Sequence, residues 1–425
     1  MSNNITVLPT TFDGEIILPP SKSDVHRAII CACLAKGKSV VAPVDFSRDI
    51  LATIDCMRNL GAEILTFQEN KLYINGSNIF SPKSAELDCD ESGSTLRFLI
   101  PIAGVGGMTA TFSGKGRLPM RPIGIYLDVL PEKGVCCETF GGLPLQISGK
   151  LKGGIFKVRG DISSQFITGL LLALPLAEED SEIILTTPLQ SKSYIDMTLN
   201  TLSKFGIKVV VTPNGYFIKG NQQYKPCQYT CESDWSQAGF FFSAGALDGN
   251  VTVRGLSLNS IQGDRAGLDI FRKFGAEIIA DEEKITVKAN KNTLHGIEIN
   301  AENIPDLVPI LAVTGAFAKG TTYIHHAQRL RIKESDRLKA ISDNLNRIGC
   351  DVKETADGLI LHGIETAQGG LAEGYNDHRI VMSMSIAVAR CHNPITITDR
   401  HSIDKSYPQF FNDYQCINGK IELNW

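Results

Sequence analysis

The sequence predicts an α/β (α+β) fold in which six copies of a βαβαββ unit form two pseudo-threefold domains. The first observation is a repeat whose starts lie roughly 70 residues apart, long enough for one supersecondary unit per copy. In each copy, a short polar segment leads into an apolar helical run, a glycine and a β-branched strand. The second observation is size, because 425 residues with 43% hydrophobic content are sufficient for two or three domains with complete cores.

The polar segments that open the six copies are the first candidates for function. Backbone N–H groups at a helix N-terminus bind anions, so we expect each opening to be able to contact a negatively charged ligand. The openings are residues 21–23, 91–94, 162–165, 232–234, 302–306 and 375–379.

Most copies continue with a second amphipathic helix that stops at a glycine, followed by a strand. The predicted second helices are 50–60 before Gly61, 194–205 before Gly206 and 268–274 before Gly275, and examples of the following strands are 71–74 and 215–218.

Six units divide most simply into three and three. The polar segment 220–226 lies near the middle and is predicted to be a linker. The strand 14–18 precedes the first unit, and we expect it to complete the sixth unit, which is truncated near Tyr414. Pro19-Pro20 is then a second crossover. The predicted domains are 21–227 and 1–20 with 228–425, joined by a two-strand hinge that permits closure.

The segment 329–337 concentrates four cations and two carboxylates just before an amphipathic helix. Ser335 or Asp336 is suited to the N-cap, and Gly349 to the C-terminal stop. If Lys333 and Arg337 both lie in the first turn, they point the same way and need an anion between them. Most charge runs are solvated helix starts, but arginine at this density favours an anion site with Glu334 inside it. The buried stripe of the helix is predicted to be Leu338, Ile341, Leu345 and Ile348.

Composition excludes several classes of function. A formal net charge of −4 argues against nucleic acid or an anionic membrane as a bulk partner, and no segment is long and apolar enough to span a membrane. The eleven cysteines lack metal-ligand spacing, and Cys31, Cys33 and Cys391 fall in apolar runs. With no signal peptide, the simplest expectation is a reducing cytoplasm, without metal.

Several side chains in and between the openings are candidates for binding anions. Taken singly, each is more typical of a helix cap, a turn or a solvated surface. Their joint occurrence in a repeat favours one converging site. The candidates are Lys22, Ser23, Arg27, Gly93, Arg121, Ser163, Ser164, Gln165, Asp306, Lys333, Glu334, Arg337, Arg379 and Lys405.

These motifs, in this order, resemble the 5-enolpyruvylshikimate-3-phosphate (EPSP) synthase family over residues 14–414. No single motif is specific for this family, but the whole set in this order is. The matching stretches are 21–27, 92–97, 120–124, 163–165, 194–199, 304–306, 331–337 and 376–379.

The resemblance implies transfer of the enolpyruvyl group of phosphoenolpyruvate to shikimate 3-phosphate, with an active site in the cleft between two inverse α/β barrel-like domains. Both substrates are anionic, in keeping with cationic clusters on an acidic protein. It implies that Asp306 and Glu334 exchange protons with the substrates, with Lys22 sharing in this. Shikimate 3-phosphate would contact Lys22, Ser23, Arg27, Ser163, Ser164, Gln165, Ser191, Tyr194, Asp306 and Lys333. Phosphoenolpyruvate would contact Lys22, Gly93, Arg121, Gln165, Arg337, Arg379 and Lys405.

The resemblance also implies no cofactor and no partner beyond these small molecules, and a monomer is expected. Family members commonly carry Asn where Glu91 and Arg329 stand here. An acid at position 91 near a phosphate is unfavourable unless it turns away or pairs with a cation. Two alternatives stay open: an enolpyruvyl transferase acting on UDP-N-acetylglucosamine, and a non-catalytic anion-binding paralogue. Members of the first family usually carry a Cys in the loop before the Arg-Pro element, and the corresponding loop here, residues 111–121, has none.

Overall fold

The computed structural model describes residues 3–67, 70–290 and 294–423. The chain forms two compact units, Met1–Pro19 with Glu232–Trp425 and Pro20–Cys231. Each unit has its own core of buried apolar side chains, with Phe240, Phe241 and Phe410 in the first and Phe98, Phe166 and Phe205 in the second. Chain crossovers therefore fall at Pro19-Pro20 and at Cys231-Glu232.

The strands are short, and most of them carry an alternating buried and exposed pattern. They are β1 Ile5–Leu8, β2 Phe12–Ile17, β3 Lys38–Ala42, β4 Glu63–Phe67, β5 Lys71–Asn75, β6 Ser84–Asp88, β7 Thr109–Ser113, β8 Val135–Glu138, β9 Leu145–Gly149, β10 Gly154–Val158, β11 Ser181–Leu185, β12 Val209–Thr212, β13 Gly215–Ile218, β14 Gln228–Thr230, β15 Gly249–Arg254, β16 Glu277–Ala280, β17 Lys284–Lys288, β18 Glu298–Asn300, β19 Thr321–His325, β20 Asp351–Glu354, β21 Leu359–His362, β22 Gly370–Ala372, β23 Ile395–Ile397 and β24 Lys420–Leu423.

The α-helices connect these strands. They are α1 Lys22–Leu34, α2 Arg48–Asn59, α3 Gly93–Gly106, α4 Gly124–Val129, α5 Ser164–Ala173, α6 Lys192–Lys204, α7 Trp235–Asp248, α8 Gly267–Phe274, α9 Val308–Ala316, α10 Arg337–Arg347, α11 His378–Ala387 and α12 Phe410–Cys416.

Within the described residues, six four-stranded sheets confirm the predicted repeat. Three of them use four consecutive strands in the orders β6-β7-β9-β8, β10-β11-β13-β12 and β18-β19-β21-β20. In each, the first two strands are parallel and the other pairs antiparallel, as a βαβαββ unit requires. The mixed α/β fold class predicted from the sequence is therefore confirmed.

The other three sheets are completed by strands distant in sequence, and here the expectation for the first strand was wrong. β2 pairs in parallel with β15, so it completes the fourth unit and not the sixth. The sixth unit is completed by β1, which lies between β23 and β24. Nor does that unit stop at Tyr414, because β24 follows it.

The segment 220–226 was also wrongly interpreted as a linker. The hydroxyl of Tyr224 is buried and donates to the carbonyl of Leu172 at 2.6 Å, and the amide of Asn221 donates to the carbonyl of Ala177 at 2.7 Å. Beyond it, β14 pairs in parallel with β3, so residues 228–230 lie in the unit that begins at Pro20. The predicted boundary at 227 and 228 precedes this strand, and the crossover follows it.

Helix ends follow the sequence signals closely. Gly61, Gly206, Gly275 and Gly349 all have positive φ, between +79° and +105°, just after α2, α6, α8 and α10. That left-handed conformation is open to glycine without a steric penalty, which stops each helix where the sequence predicts. The predicted apolar stripe of α10 is fully buried at Leu338, Ile341, Leu345 and Ile348.

Four of the six polar openings cap a helix through a side chain. Ser92, Ser163, Asp234 and Asp377 each accept a hydrogen bond from a backbone amide of the helix that follows. In the described chain, Ser21 and Leu307 occupy the other two N-cap positions without such a bond. Asp306 is therefore not a cap, and its carboxylate is used elsewhere.

Across the described residues, no helix is long and apolar enough to cross a membrane. In the same residues, no group of three or more His, Cys, Asp or Glu could hold a metal ion. The eleven cysteines are free thiols, and Cys31, Cys33 and Cys391 are buried as predicted.

Candidate anion-binding and acid–base site

In the unit that contains the C-terminus, a buried arginine contacts three carboxylates. Arg337 begins α10, and its Nε donates to Asp377 Oδ2 at 2.8 Å. Its Nη1 donates to Asp306 Oδ1 at 2.9 Å and its Nη2 to Glu334 Oε2 at 2.8 Å. Burial by itself lowers the pKa of Arg337, but the three carboxylates outweigh it and hold the pKa above its usual value. Arg337 therefore joins the two predicted acid–base residues, Asp306 and Glu334.

Asp306 is also surrounded by two other predicted anion ligands. The Nε of Arg379 lies 3.5 Å from Asp306 Oδ1, and Lys333 Nζ lies 3.9 Å from the same oxygen. Arg379 Nη1 also donates to the backbone carbonyl of Asp306 at 2.9 Å. Asp306 and Glu334 keep 16% and 17% of their side chains exposed, so both can still contact a ligand.

Lys333 and Lys405 occupy different environments. Burial lowers the pKa of Lys333 to about 8, and the nearby Arg337 and Arg329 act in the same direction against Asp306 and Glu334. A bound anion would favour the charged form of Lys333. The ammonium of Lys405 is buried and donates to the carbonyl of Asn376 at 2.6 Å, in the opening of α11.

The segment before α10 differs from the expectation in one respect. Asp336 is the N-cap and accepts from the amide of Lys339, as predicted, but α10 begins only at Arg337. Lys333 follows the short 3-10 helix Gln328–Ile332 and has extended backbone, so the two cations do not share a helical turn. Arg331 is paired with Asp336 and Glu354.

In the other unit, Lys22 begins α1 and its ammonium lies 2.7 Å from Asp49 Oδ2. Asp49 stands in the first turn of α2, and its backbone carbonyl accepts from Thr95 Oγ1 at 3.4 Å. The first turn of α2 thus connects the Lys22 ammonium with the start of α3. Sequence reasoning missed Asp49, although its position two residues after the cap Ser47 was a signal.

Arg27 lies in the interior of that unit. It is 2% exposed and donates to Thr198 Oγ1 at 2.8 Å, to the carbonyl of Ser23 at 2.5 Å and to the carbonyl of Tyr194 at 3.0 Å. Burial lowers the pKa of Arg27 to about 10. The structure therefore joins three of the predicted ligands, Ser23, Arg27 and Tyr194, through Arg27 itself.

Gly93 and Arg121 are in direct contact. A Cβ on Gly93 would lie 2.8 Å from three guanidinium atoms of Arg121, closer than carbon atoms normally approach. The absence of a side chain at the start of α3 is therefore what lets the Arg121 guanidinium lie against that helix N-terminus.

The third opening supplies polar groups at the start of α5. Ser163 caps the helix by accepting from the amide of Gln165 at 3.3 Å, and Ser164 is buried. Gln165 accepts from Arg97 Nη1 at 2.6 Å and donates to Ser94 Oγ at 2.9 Å. Sequence reasoning missed this role of Arg97, which fixes the Gln165 amide and so links the second and third openings.

Ser191 and Tyr194 lie at the start of α6. Ser191 is buried and has a φ of +54°, a backbone conformation that a non-glycine residue adopts at a cost. Tyr194 is partly exposed.

The two unusual residues are both accommodated. Glu91 Oε1 lies 4.0 Å from Arg48 Nη2, which also contacts Asp90 at 2.7 Å. A Cβ on Gly116 would overlap the Glu91 carboxylate, so that carboxylate packs against the segment that leads to Arg121. Arg329 donates to the carbonyl of Glu302 at 2.6 Å. The acid at position 91 therefore lies near a cation, which is one of the two arrangements that the sequence argument allowed.

The repeated units place cations and carboxylates at the starts of their helices, an arrangement suited to a transferase of anionic substrates. Residues 8–414 match the family model of EPSP synthase (3-phosphoshikimate 1-carboxyvinyltransferase). The chain is 46% identical to a 3-phosphoshikimate 1-carboxyvinyltransferase of Clostridium perfringens, over 98% of this chain and 99% of that one. It is 45% identical to the protein of the same name from Clostridium novyi, over 99% and 98%.

Among solved structures, EPSP synthase from Acinetobacter baumannii has a TM-score of 0.83 and 27% identity, covering 99% of this chain and 100% of that one. The chain belongs to the EPSP synthase family.

Proposed function

We propose that this chain transfers the enolpyruvyl group of phosphoenolpyruvate to the 5-hydroxyl of shikimate 3-phosphate, releasing phosphate, in the biosynthesis of chorismate and aromatic amino acids. The observation that carries the proposal is the contact of Arg337 with both Asp306 and Glu334, within a chain that belongs to this family from residue 8 to residue 414. A non-catalytic paralogue would have no need for this pair of partly exposed carboxylates.

The reaction proceeds by addition and elimination. In the addition, the 5-oxygen bonds to C2 of phosphoenolpyruvate while Asp306 accepts the hydroxyl proton and protonated Glu334 gives a proton to the methylene carbon. In the elimination, the C2–O bond to phosphate breaks, Glu334 takes a proton from the new methyl group, and the phosphate leaves with the proton held by Asp306. Lys22 takes part in these proton transfers. Glu334 must act first as an acid and then as a base, which favours a carboxyl placed among cations in a partly buried site.

We assign the binding roles from the cationic groups and the polar groups that lie with them. For phosphoenolpyruvate, we propose Arg337, Arg379 and Lys405 from one unit and Lys22, Gly93, Arg121 and Gln165 from the other. For shikimate 3-phosphate, we propose Lys22, Ser23, Arg27, Ser163, Ser164, Gln165, Ser191, Tyr194, Asp306 and Lys333. The buried donors of Arg27 already contact protein carbonyls, so its role is to hold Ser23 and Tyr194 as well as to attract the substrate carboxylate. Because the ligands divide between the two units, we propose that the domains close on the substrates.

All the proposed ligands come from one chain, which supports a monomer. The free thiols are typical of a reducing compartment and support a cytoplasmic location. Transfer to UDP-N-acetylglucosamine is the less favoured alternative, since the loop 111–121 lacks a cysteine.

The direct test is release of phosphate by the purified chain, without added metal, with each acceptor in turn. We expect phosphate from phosphoenolpyruvate when shikimate 3-phosphate is present and none with UDP-N-acetylglucosamine. Equal turnover with both acceptors, or no turnover with either, contradicts the proposal.

A further inference from the structure

A series of hydrogen bonds between four buried side chains has no place in the reaction described above. The Nδ1 atom of His26 on α1 lies 2.8 Å from Thr53 Oγ1 on α2, and Thr53 Oγ1 lies 2.7 Å from Thr95 Oγ1 on α3. Thr95 Oγ1 donates in turn to Ser92 Oγ at 2.7 Å, and Ser92 is the N-cap of α3. All four side chains are fully buried. These hydrogen bonds therefore join three helices inside one unit.

Two of the four residues lie one helical turn behind the ion pair of Lys22 and Asp49. His26 follows Lys22 by four residues in α1. Thr53 likewise follows Asp49 by four residues in α2. Residues four apart lie on the same face of a helix. The ammonium of Lys22 lies 2.7 Å from Asp49 Oδ2, so the buried hydrogen bond between His26 and Thr53 connects the same two helices one turn further from their starts.

The other two residues fix the start of α3, where Gly93 contacts Arg121. Ser92 and Thr95 stand on either side of Gly93, and the hydroxyl of Ser92 accepts from both the amide and the hydroxyl of Thr95. A Cβ on Gly93 would lie 2.8 Å from the Arg121 guanidinium, so there is little space between this helix start and that cation. A small displacement of the start of α3 would therefore change the position of the Arg121 guanidinium.

The direction of the hydrogen bonds follows from the number of protons that the groups carry. Burial, together with two nearby cations, lowers the pKa of His26 well below its usual value, so the ring is neutral and carries one N–H. Thr95 donates its single hydroxyl proton to Ser92, so it accepts from Thr53, and Thr53 then accepts from His26 Nδ1–H. The Nε2 atom of His26 is buried and has no hydrogen-bond partner among the described residues. A proton on Nε2 would thus be left without an acceptor, which also favours Nδ1–H.

We propose that Thr53 is a positioning residue that holds the Lys22 ammonium and the Arg121 guanidinium at the spacing that phosphoenolpyruvate requires. Its hydroxyl accepts from α1 and donates to α3, so the three helices share one buried set of hydrogen bonds behind the proposed ligands. A misplacement of about 1 Å behind a site can cost up to about 10²-fold in activity. The inference rests on the proposed function, because it takes Lys22, Gly93 and Arg121 as ligands of phosphoenolpyruvate.

The first experiment compares Thr53→Val with Thr53→Ser. Valine has the shape of threonine without the hydroxyl, whereas serine keeps the hydroxyl. Thr53→Val leaves His26 Nδ1–H without an acceptor and the Thr95 hydroxyl without a donor. We therefore expect the KM for phosphoenolpyruvate to rise about tenfold, with kcat and the KM for shikimate 3-phosphate changed by less than about twofold. Thr53→Ser should restore the KM for phosphoenolpyruvate to within about threefold of wild type.

Thr314→Val is the matched control. Thr314 is fully buried in α9 of the other unit, and its Oγ1 lies 2.8 Å from Ser243 Oγ on α7, so the substitution also removes a buried hydroxyl that joins two helices. Its KM for phosphoenolpyruvate should equal that of the wild type. An unchanged KM in Thr53→Val, or a Thr53→Ser protein as impaired as Thr53→Val, would overturn the proposal. Equal losses for both substrates would mean that Thr53 is only structural and would overturn it as well.

A second measurement needs neither turnover nor a change at position 53. NMR spectra of protein labelled with ¹⁵N in histidine distinguish a ring protonated on Nδ1 from one protonated on Nε2, and the signals of His26 are those missing from His26→Asn. We expect His26 to be neutral and protonated on Nδ1.

Protonation of His26 on Nε2 would reverse the hydrogen bonds. Nδ1 would then accept from Thr53, and Thr95 would donate to Thr53 instead of Ser92, so the start of α3 would lose its connection to α1. That result would overturn the proposal even if Thr53→Val did not fold. A His26 protonated on Nδ1 in a protein without transferase activity would instead contradict the proposed function alone.

Discussion

Replacing Glu334 by Gln separates proton transfer from binding. Gln has the same shape, and its carbonyl can still accept the 2.8 Å hydrogen bond from Arg337 Nη2, but it cannot exchange a proton with the substrate. General acid–base catalysis contributes about 10²–10⁴-fold, which is about 2.7–5.4 kcal/mol at about 1.36 kcal/mol per tenfold. We therefore expect kcat to fall by that factor, with the KM for both substrates changed little.

The effect of the same substitution on stability should be much smaller. Arg337 keeps its contacts with Asp377 and Asp306, so only the charge on one of three partners is lost. A hydrogen bond to a charged group contributes about 1.5–3 kcal/mol, and Gln retains part of it, so the free energy of unfolding should fall by about 1 kcal/mol. Urea unfolding measures this change, and phosphate release measures kcat.

Glu354→Gln is the matched control. Glu354 lies 2.6 Å from Arg331 Nη1, so it too loses one carboxylate from an arginine pair, but it has no proposed chemical role. Its kcat should stay within about twofold of wild type, because the substitution touches no group in the mechanism. The reasoning about Glu334 is refuted if Glu334→Gln keeps kcat within tenfold of wild type, or if both variants lose activity equally.

Two further predictions concern the binding of phosphoenolpyruvate. Gly93→Ala places a Cβ 2.8 Å from the Arg121 guanidinium, so Arg121 must shift. The KM for phosphoenolpyruvate should then rise about tenfold or more, with the KM for shikimate 3-phosphate nearly unchanged. A KM for phosphoenolpyruvate equal to that of the wild type would show that the contact is unimportant. If the domains close on both substrates, shikimate 3-phosphate should lower the radius of gyration in small-angle scattering and tighten the binding of phosphoenolpyruvate. Phosphoenolpyruvate should tighten the binding of shikimate 3-phosphate by the same factor. Independent binding of the two ligands with no compaction would count against closure.

The strands and helices of each repeat could be read from the sequence because their signals are local. A glycine such as Gly61 or Gly349 stops a helix through its own backbone freedom, wherever the helix lies in the fold. Likewise, the apolar spacing of α10 identifies its buried face without knowledge of what covers it. The order of the motifs along the chain is also visible in the sequence without the fold, and it was enough to identify the family.

The assignment of strands to sheets was not local, and there the sequence misled. Nothing in the pattern of β2 shows whether it pairs with β15 or β23, because both are short β-branched strands with an open edge. The segment 220–226 is polar in sequence, yet Tyr224 anchors it in a core through one buried hydroxyl. Partner choice depends on the three-dimensional position of each edge, and that is decided only when the units pack.

For the candidate site, the sequence by itself determined which residue types are present: Asp306, Glu334 and Arg337 all stand in recognisable motifs. Only the tertiary structure decided how they are held, with one buried guanidinium between carboxylates that come from three different segments of the chain. The physical reason is that burial and the distance between charges set both the strength of an ion pair and the pKa of a carboxyl, and neither quantity is encoded in the local sequence.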